Sequence, residues 1–493
     1  MIRDTFEKIK QQIDIRQNLI QLRAELKEGY NKTALLYQVS TDDTIFEQLL
    51  KNEDAKIRKN TALIMGELAI PSSLDKLMDA YREEAQLFVK SSYLTALKGF
   101  DYNKLLPELK ERLSLLSTMD LDETNKKHIS EEMRVLSDLI LSAEGVKQHT
   151  FTGFNVPSQI VLLTNRNFIS VTLGQIKDKK AKEFNAGLIV KTTDIRPILS
   201  IRTYSELLFM PEDIKTCGKD VEKAAVALAN SSLLEFMKAR HGGEAPYYFR
   251  IELKSKLDLD KKSAFTKKLG IEIERLTGRQ LVNSTSNYEF EIRMIENKEG
   301  NYNVLIKLYT LKDERFSYRK NVIATSIQPV NAALIAALAE DYLKEGAQIL
   351  DPFCGVGTML IERHKKVPAN TIYGLDIYSA AIEKAKENTG AAHSIIHYIN
   401  RDFFDFKHEY LFDEIFTDMP RVMGHKEETE IYELYRRFFA KAKEHLKKDG
   451  VMVLYSHNRD YIKKLLNPKI YRLEKEFEIS KKEGAYLYII ISI

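Results

Sequence analysis

The run QILDPFCGVGTMLIE (348–362) ends an apolar, strand-like segment in Asp351, passes through a turn with two glycines and opens a helix. Gly355 and Gly357 can adopt positive φ and let a ligand lie against the backbone at the carboxyl edge of a sheet. A second acid, Asp376, ends the next strand-like segment (IYGLDIY) nineteen positions after Gly357, which suits a carboxylate accepting two ribose hydroxyls. A nicotinamide dinucleotide could use the same plan. However, Leu360 stands where its third glycine belongs, and Asp-Pro-Phe-Cys is no part of that fingerprint, so adenosyl-methionine fits better.

Such residues need a doubly wound sheet to hold them, and the chain from 331 onward alternates in that way. The segments are AQILDPFC, TMLIERHKK, TIYGLDIY, SAAIEKAKENT, IIHYINRD, FDEIFTDMP, the helix EETEIYELYRRFFAKAKEHLKK, and VMVLYSHN. Two final strands, YRLEKEFEIS and the run from 485, complete it, one of them antiparallel. His393 and His397 have helix-like spacing but no carboxylate or cysteine pattern to complete a zinc site, so no metal is expected.

The first 145 residues read as helix after helix, with Leu and Ile at three-and-four spacing. IRKNTALIMGEL (57–68) and VKSSYLTALKGF (89–100) align at an offset of 32, which also carries Leu74, Leu77 and Tyr81 onto Leu106, Leu109 and Leu113. Stacked helix hairpins give that signature. From 151 to about 320 strand-like stretches appear: QIVLLT, FISVTL, YYFRIEL, YEFEIRMIE and NVLIKLYTL. In YEFEIRMIE, Phe290, Ile292 and Met294 alternate with Glu289, Glu291 and Arg293, which predicts a half-exposed sheet.

Charge is uneven. The whole chain carries +4, split as −3 over 1–150, +8 over 151–330 and −1 over 331–493, so an anionic partner would meet the middle. Two cysteines, Cys217 and Cys354, far apart, argue against a disulfide scaffold and for a reducing, cytoplasmic compartment. The first twenty residues are too charged for a signal peptide, and no apolar run would span a membrane.

DPFCGVGT, the strand-end Asp376, RDFFDF and a strand-end TDMP occur in the order found in THUMP-associated RNA guanosine methyltransferases. SIQPVNAALIAALAE (326–340) is similar to the helix preceding the cofactor loop in that family, and 249–311 resembles the latter half of a THUMP domain. The apolar-basic pairs Ile57-Arg58 and Val89-Lys90 resemble the openings of HEAT-type repeats. These resemblances imply three parts: an α-helical HEAT-like region (1–148), an α+β THUMP-like RNA-binding region (149–320) and a doubly wound class I methyltransferase domain (321–493).

By the same resemblance, Asp351, Gly355 and Gly357 border the methionine end of adenosyl-methionine, and Pro352, Phe353, Cys354 and Thr358 are also cofactor-binding. Asp376 takes the ribose, Asp402 with Phe403 the adenine, and Ile377 is a further cofactor-binding residue. The family's strand-four motif is Asn or Asp, two prolines and an aromatic. Here it reads Asp418-Met419-Pro420-Arg421, so the acid and second proline persist while Met and Arg replace the others. Asp418 and a backbone carbonyl would hold the protons of an exocyclic amine, and Arg421 would stack on the base or bind phosphate. His425 and Lys426 are further candidates for binding phosphate. The implied function is methylation of a guanosine amine in tRNA, with a protein partner for the repeats. Two alternatives are an RNA- and cofactor-binding protein that has lost the chemistry, and a methyltransferase acting on DNA or protein.

Overall fold

The computed structural model describes residues 2–39, 44–118, 123–145, 149–177, 180–421 and 428–493, so His425 and Lys426 lie outside the described residues. Two compact units emerge, each from two stretches of chain: Met1–Phe151 with Asp213–Val304, and Thr152–Glu212 with Leu305–Ile493. The middle third of the sequence is therefore shared between them.

In the first unit, helices Ala55–Leu68 and Ser73–Glu83 are followed by Leu87–Leu97 and Leu106–Thr118, so the 32-residue offset is a repeated helix pair. The basic residue opening each pair grips neighbouring chain. Arg58 makes a two-point ion pair with Glu84 (2.8 and 2.7 Å), and Lys90 donates to the Tyr81 carbonyl (2.8 Å). Parallel strands Tyr247–Lys254 and Phe290–Glu296 follow, joined by helix Leu259–Leu276.

Alternation in that second strand misleads about exposure. Phe290, Ile292 and Met294 are buried, as expected, but Glu291 is 0% and Arg293 5% exposed. Glu291 accepts from Arg250 (2.6 Å) and from Arg293 (2.7 Å), and Glu289 accepts from the His149 backbone N–H (2.8 Å). Charges that satisfy one another can be buried. The sheet is not half-exposed there.

In the second unit, Ser158–Thr164 lies antiparallel between Gly187–Thr192 and Tyr204–Met210. FISVTL, expected as a strand, is instead the short helix Ile169–Leu173. Its entry is turned by Asn165, whose side chain accepts from the Asn167 N–H (3.0 Å), and Thr172 is tied to Thr203 (2.8 Å). These hydrogen bonds override β-branched propensity.

The remainder of this unit is a seven-stranded sheet: β1 (Gln348–Asp351), β2 (Thr371–Asp376), β3 (His397–Asn400), β4 (Phe412–Asp418), β5 (Leu446–Ser456), β6 (Tyr471–Ser480) and β7 (Ala485–Ser492). Its order is β3-β2-β1-β4-β5-β7-β6, with β1 to β5 parallel and β7 antiparallel to both neighbours. Neighbouring residues on one strand feed opposite cores. Ile349 and Phe416 pack with helices α1 (Pro329–Leu338), α2 (Thr358–Lys366) and α3 (Ser379–Ala391). Leu350 and Ile415 pack with α4 (Glu428–Ala442) and α5 (Arg459–Leu465). The sheet is thus covered on both faces, which explains its continuous apolar strands.

α4 ends at Ala442, short of the expected Lys448, because Leu446–Lys448 already open β5. His397 lies on β3 and His393 follows α3 at φ 53°, so these two do not share a helix face. A buried ion pair, Arg363 to Glu414 at 2.7 Å, ties α2 to β4. The turn after β1 is thereby held in register with the strand that carries Asp418.

Candidate functional site

β1, β2 and β4 all end at one cavity of about 360 Å³, at the carboxyl edge where the strand order reverses. Thirteen of the fourteen expected site residues line it: Asp351, Pro352, Phe353, Cys354, Gly355 and Thr358 from the turn after β1, Asp376 and Ile377 after β2, Asp402 and Phe403 after β3, and Asp418, Pro420 and Arg421 after β4. Gly357 does not line it. At φ +82° it is the residue before α2, and a side chain there would collide with the Tyr398 hydroxyl, so its missing Cβ makes room for Tyr398 rather than for a ligand. Gly355, at φ +52°, lines the cavity, and a Cβ there would meet only the Ile323 side chain, at 3.9 Å.

Asp376 organises the turn as well as facing the cavity. One carboxylate oxygen accepts from the Gly355 N–H (3.0 Å) and the other from the Tyr378 N–H (2.9 Å). Asp351 is buried at the base. Its Oδ1 accepts from the Phe353 N–H (3.0 Å), while Oδ2, beside the Thr417 hydroxyl, makes no hydrogen bond of ordinary geometry. Burial pushes this carboxyl up to about 8, and it raises the Cys354 thiol too. Thr358 Oγ1 is likewise buried without a partner.

Asp402 accepts from the Phe404 N–H (2.9 Å), so it caps the turn after β3 and lines the cavity at once. Phe403 is 1% exposed, packed on Phe353 and Phe438, and shapes the wall from behind. Sequence reasoning missed Ile323, Thr325, Tyr378, Phe404 and Leu434, which also line the cavity. Tyr378 carried a readable signal, an aromatic two residues after the strand-end acid, and it is 60% exposed. Ile323 carried none, because a loop distant in sequence delivers it.

At the β4 end, burial raises Asp418 to about 7, against the opposing pull of Arg421. The Met419 N–H donates to the Tyr455 carbonyl (2.8 Å), continuing the ladder past the strand end. Pro420's carbonyl is engaged by the Tyr435 hydroxyl (3.0 Å) and the Asn458 amide (3.4 Å). Among the described residues, no group of three or more His, Cys, Asp or Glu is placed to hold a metal ion, and no helix is long and apolar enough to cross a membrane.

Residues 317–483 match the UPF0020 family model, described as an RMKL-like methyltransferase domain. The ribosomal protein L11 methyltransferase of Dictyoglomus turgidum is 27% identical over 152 residues, which is 31% of this chain and 46% of that protein. The chain thus matches about half the length of this curated relative. TrmN from Thermus thermophilus has a TM-score of 0.51 at 18% identity, covering 68% of this chain and 99% of that one. SMU.472, described as a putative methyltransferase and complexed with SAH, gives 0.52 at 12% identity, covering 68% and 98%. At such coverage the shared fold extends well beyond the matched 317–483 segment. The C-terminal part of the chain is a methyltransferase-type α/β domain, accompanied by a helical N-terminal region.

Proposed function

We propose that this chain is an RNA methyltransferase that uses adenosyl-methionine to methylate an exocyclic base amine, that of a guanosine in tRNA. One observation carries the reading: Asp376 and Asp418, from separate strand ends, line a single cavity. The matched methyltransferase model and the neighbour complexed with SAH agree with it.

The residues fit the cofactor. Gly355 faces the cavity with only the Ile323 side chain near its missing Cβ, Asp376 offers carboxylate lone pairs, and the buried Thr358 Oγ1 has no hydrogen-bond partner. Asp376 with Ile377 would hold the ribose, the turn from Asp351 to Thr358 the methionine end, and Asp402 with Phe403 the adenine. Bound there, adenosyl-methionine supplies an electrophilic methyl on a sulfonium. Asp418 and the Met419 carbonyl would each accept a hydrogen bond from the amine and so aim the nitrogen lone pair, the kind of orientation that gives most of the rate in such transfers, and the carboxylate would take the one proton that the methylated nitrogen sheds. Arg421 meets the base or its phosphate. Nucleoside mass spectrometry of tRNA from a strain lacking the gene, against wild type, tests the whole reading: an unchanged set of methylated guanosines would defeat it.

Residues 149–320 would act as a THUMP-type RNA module, and 1–148 as HEAT-type repeats holding a partner, in the cytoplasm. Lys261, Lys267 and Lys268 stand exposed on helix Leu259–Leu276, with Lys262 half-buried at its first turn. RNA affinity should fall steeply with salt because bound cations leave the phosphates. Changing these four lysines to alanine is expected to flatten the slope of log K against log salt by about 0.7–0.9 for each phosphate that is no longer neutralised. Filter binding measures it, and an unaltered slope would remove this helix from the RNA surface.

A further inference from the structure

Arg421 stands where the resemblance expects an aromatic ring. A ring is stiff, whereas a guanidinium on a long flexible stem needs something to hold it before it can present a fixed face. The fold supplies a holder that has no signature in the sequence. His457, directly after β5, has its Nε2 3.1 Å from Arg421 Nη1 and its Nδ1 3.1 Å from the Glu483 carbonyl. Arginine carries donors only, so Nε2 must accept, and the imidazole must be neutral with its proton on Nδ1, donated to Glu483. Geometry alone fixes the tautomer.

The surroundings fix the ring's origin. Ser456 pairs through its hydroxyl with Tyr435 (2.9 Å) and accepts from the Asn458 N–H (2.9 Å), and Tyr435 and Asn458 both reach the Pro420 carbonyl. The Glu483 turn is tied by its N–H to Ser480 (3.3 Å). The end of β4, the end of β5 and the turn between β6 and β7 therefore converge on His457 from three sides.

We propose that His457 is a positioning residue for Arg421: its neutral ring clamps the guanidinium at the cavity mouth in the orientation that receives the nucleic acid, and protonation of the ring releases it. This rests on the function proposed above. An imidazolium has no acceptor and would face Arg421 as a like charge. Burial and Arg421 oppose that protonation, while the Glu483 carbonyl and carboxylate favour it, and the net effect keeps the ring below its usual range. Tyr455, whose ring lies 5.3 Å from His457, and Asp418, which acts on Arg421, are the other titratable groups shown beside this pair among the described residues, with Lys481 and Lys482 in the Glu483 turn. At neutral pH the clamp is closed.

Steady-state transfer of labelled methyl to tRNA by the full chain tests the clamp, with His457→Asn and His457→Gln as the probes. Asparagine can still donate toward Glu483 but is too short to accept from Arg421. Glutamine can accept and does not titrate. His457→Asn should raise the KM for tRNA about ten- to 150-fold, the loss of one hydrogen bond to a charged group, with kcat and cofactor affinity within about twofold. His457→Gln should recover most of that affinity. The wild type should show a rise in tRNA KM on acidification that His457→Gln lacks, a KM effect separable from any acid effect of Asp418 on kcat. Equal impairment of both variants at all pH values, or a wild-type KM in His457→Asn, would overturn the proposal.

Nitrogen-15 NMR of histidine-labelled protein, with His457 assigned by its disappearance in His457→Gln, is independent of activity. The Nδ1–H tautomer is expected, and an Nε2–H tautomer overturns the clamp. A wild-type chain that transfers no methyl to tRNA would defeat the function proposed above, and the nitrogen measurement then decides the clamp alone.

Discussion

Asp418→Ala is expected to slow single-turnover methyl transfer by about a hundredfold or more while leaving cofactor affinity within about twofold, as when an oriented polar partner of the reacting group is removed. The carboxyl lies at the end of β4, next to Met419 in the chain and in the same cavity as the turn after β1. Its protonation state matters as much as its position. Only the ionised group accepts without also donating, and burial lifts it to about 7. The sign follows. A carboxyl raised in the fold is proton-bound below that value, so the rate should fall about tenfold per pH unit on the acid side and level off above it. For stability the direction reverses: the neutral group sits comfortably in the fold at low pH, and that contribution is lost as pH rises from the unfolded value through about 7. Asp418→Asn, with an amide oxygen that accepts and does not titrate, should keep measurable activity and lose the acid limb of kcat. Transfer by Asp418→Ala at the wild-type rate would send the search for the amine acceptor to another residue.

Loss of the Asp376 carboxylate should weaken adenosyl-methionine binding about ten- to 150-fold in Asp376→Ala, or ~1.5–3 kcal/mol for a charge-assisted hydrogen bond. The structure places a second effect on top of the ribose interaction. The same carboxylate accepts the backbone N–H groups of Gly355 and Tyr378, so alanine also frees the turn that cradles the ligand. Asp376→Asn is therefore no conservative change here. Whichever way its amide faces, the NH2 meets one of those N–H donors, and its affinity should fall nearly as far as that of alanine. Calorimetry on folded protein reads both variants, and unaltered affinity in Asp376→Ala would withdraw the ribose assignment.

Much of this site was legible because its signals are local. A strand-end aspartate, a glycine turn and a second strand-end acid at fixed spacing follow from how a parallel sheet presents its carboxyl edge, and alternation after 331 specified that sheet. Positive φ at Gly355 and Gly357 was readable for the same reason. What each glycine makes room for was not: Gly357 yields to Tyr398, forty-one residues later, while Gly355 alone faces the cavity. Exposure was equally opaque in 288–296, since a pattern of Glu and Arg states polarity, whereas Arg250 decides whether Glu291 can be buried.

The sequence by itself thus determined which residues could do chemistry and what kind of sheet would carry them, because spacing along a strand or turn maps directly onto one edge. Only the tertiary structure decided which side chains share the cavity and in what protonation state. Ile323 arrives from a separate loop, His457 reaches Arg421 across thirty-six residues, and Asp418 is lifted by its burial in the folded chain. Hydrogen-bond partners and desolvation depend on atoms brought together in space, and a local pattern does not contain them.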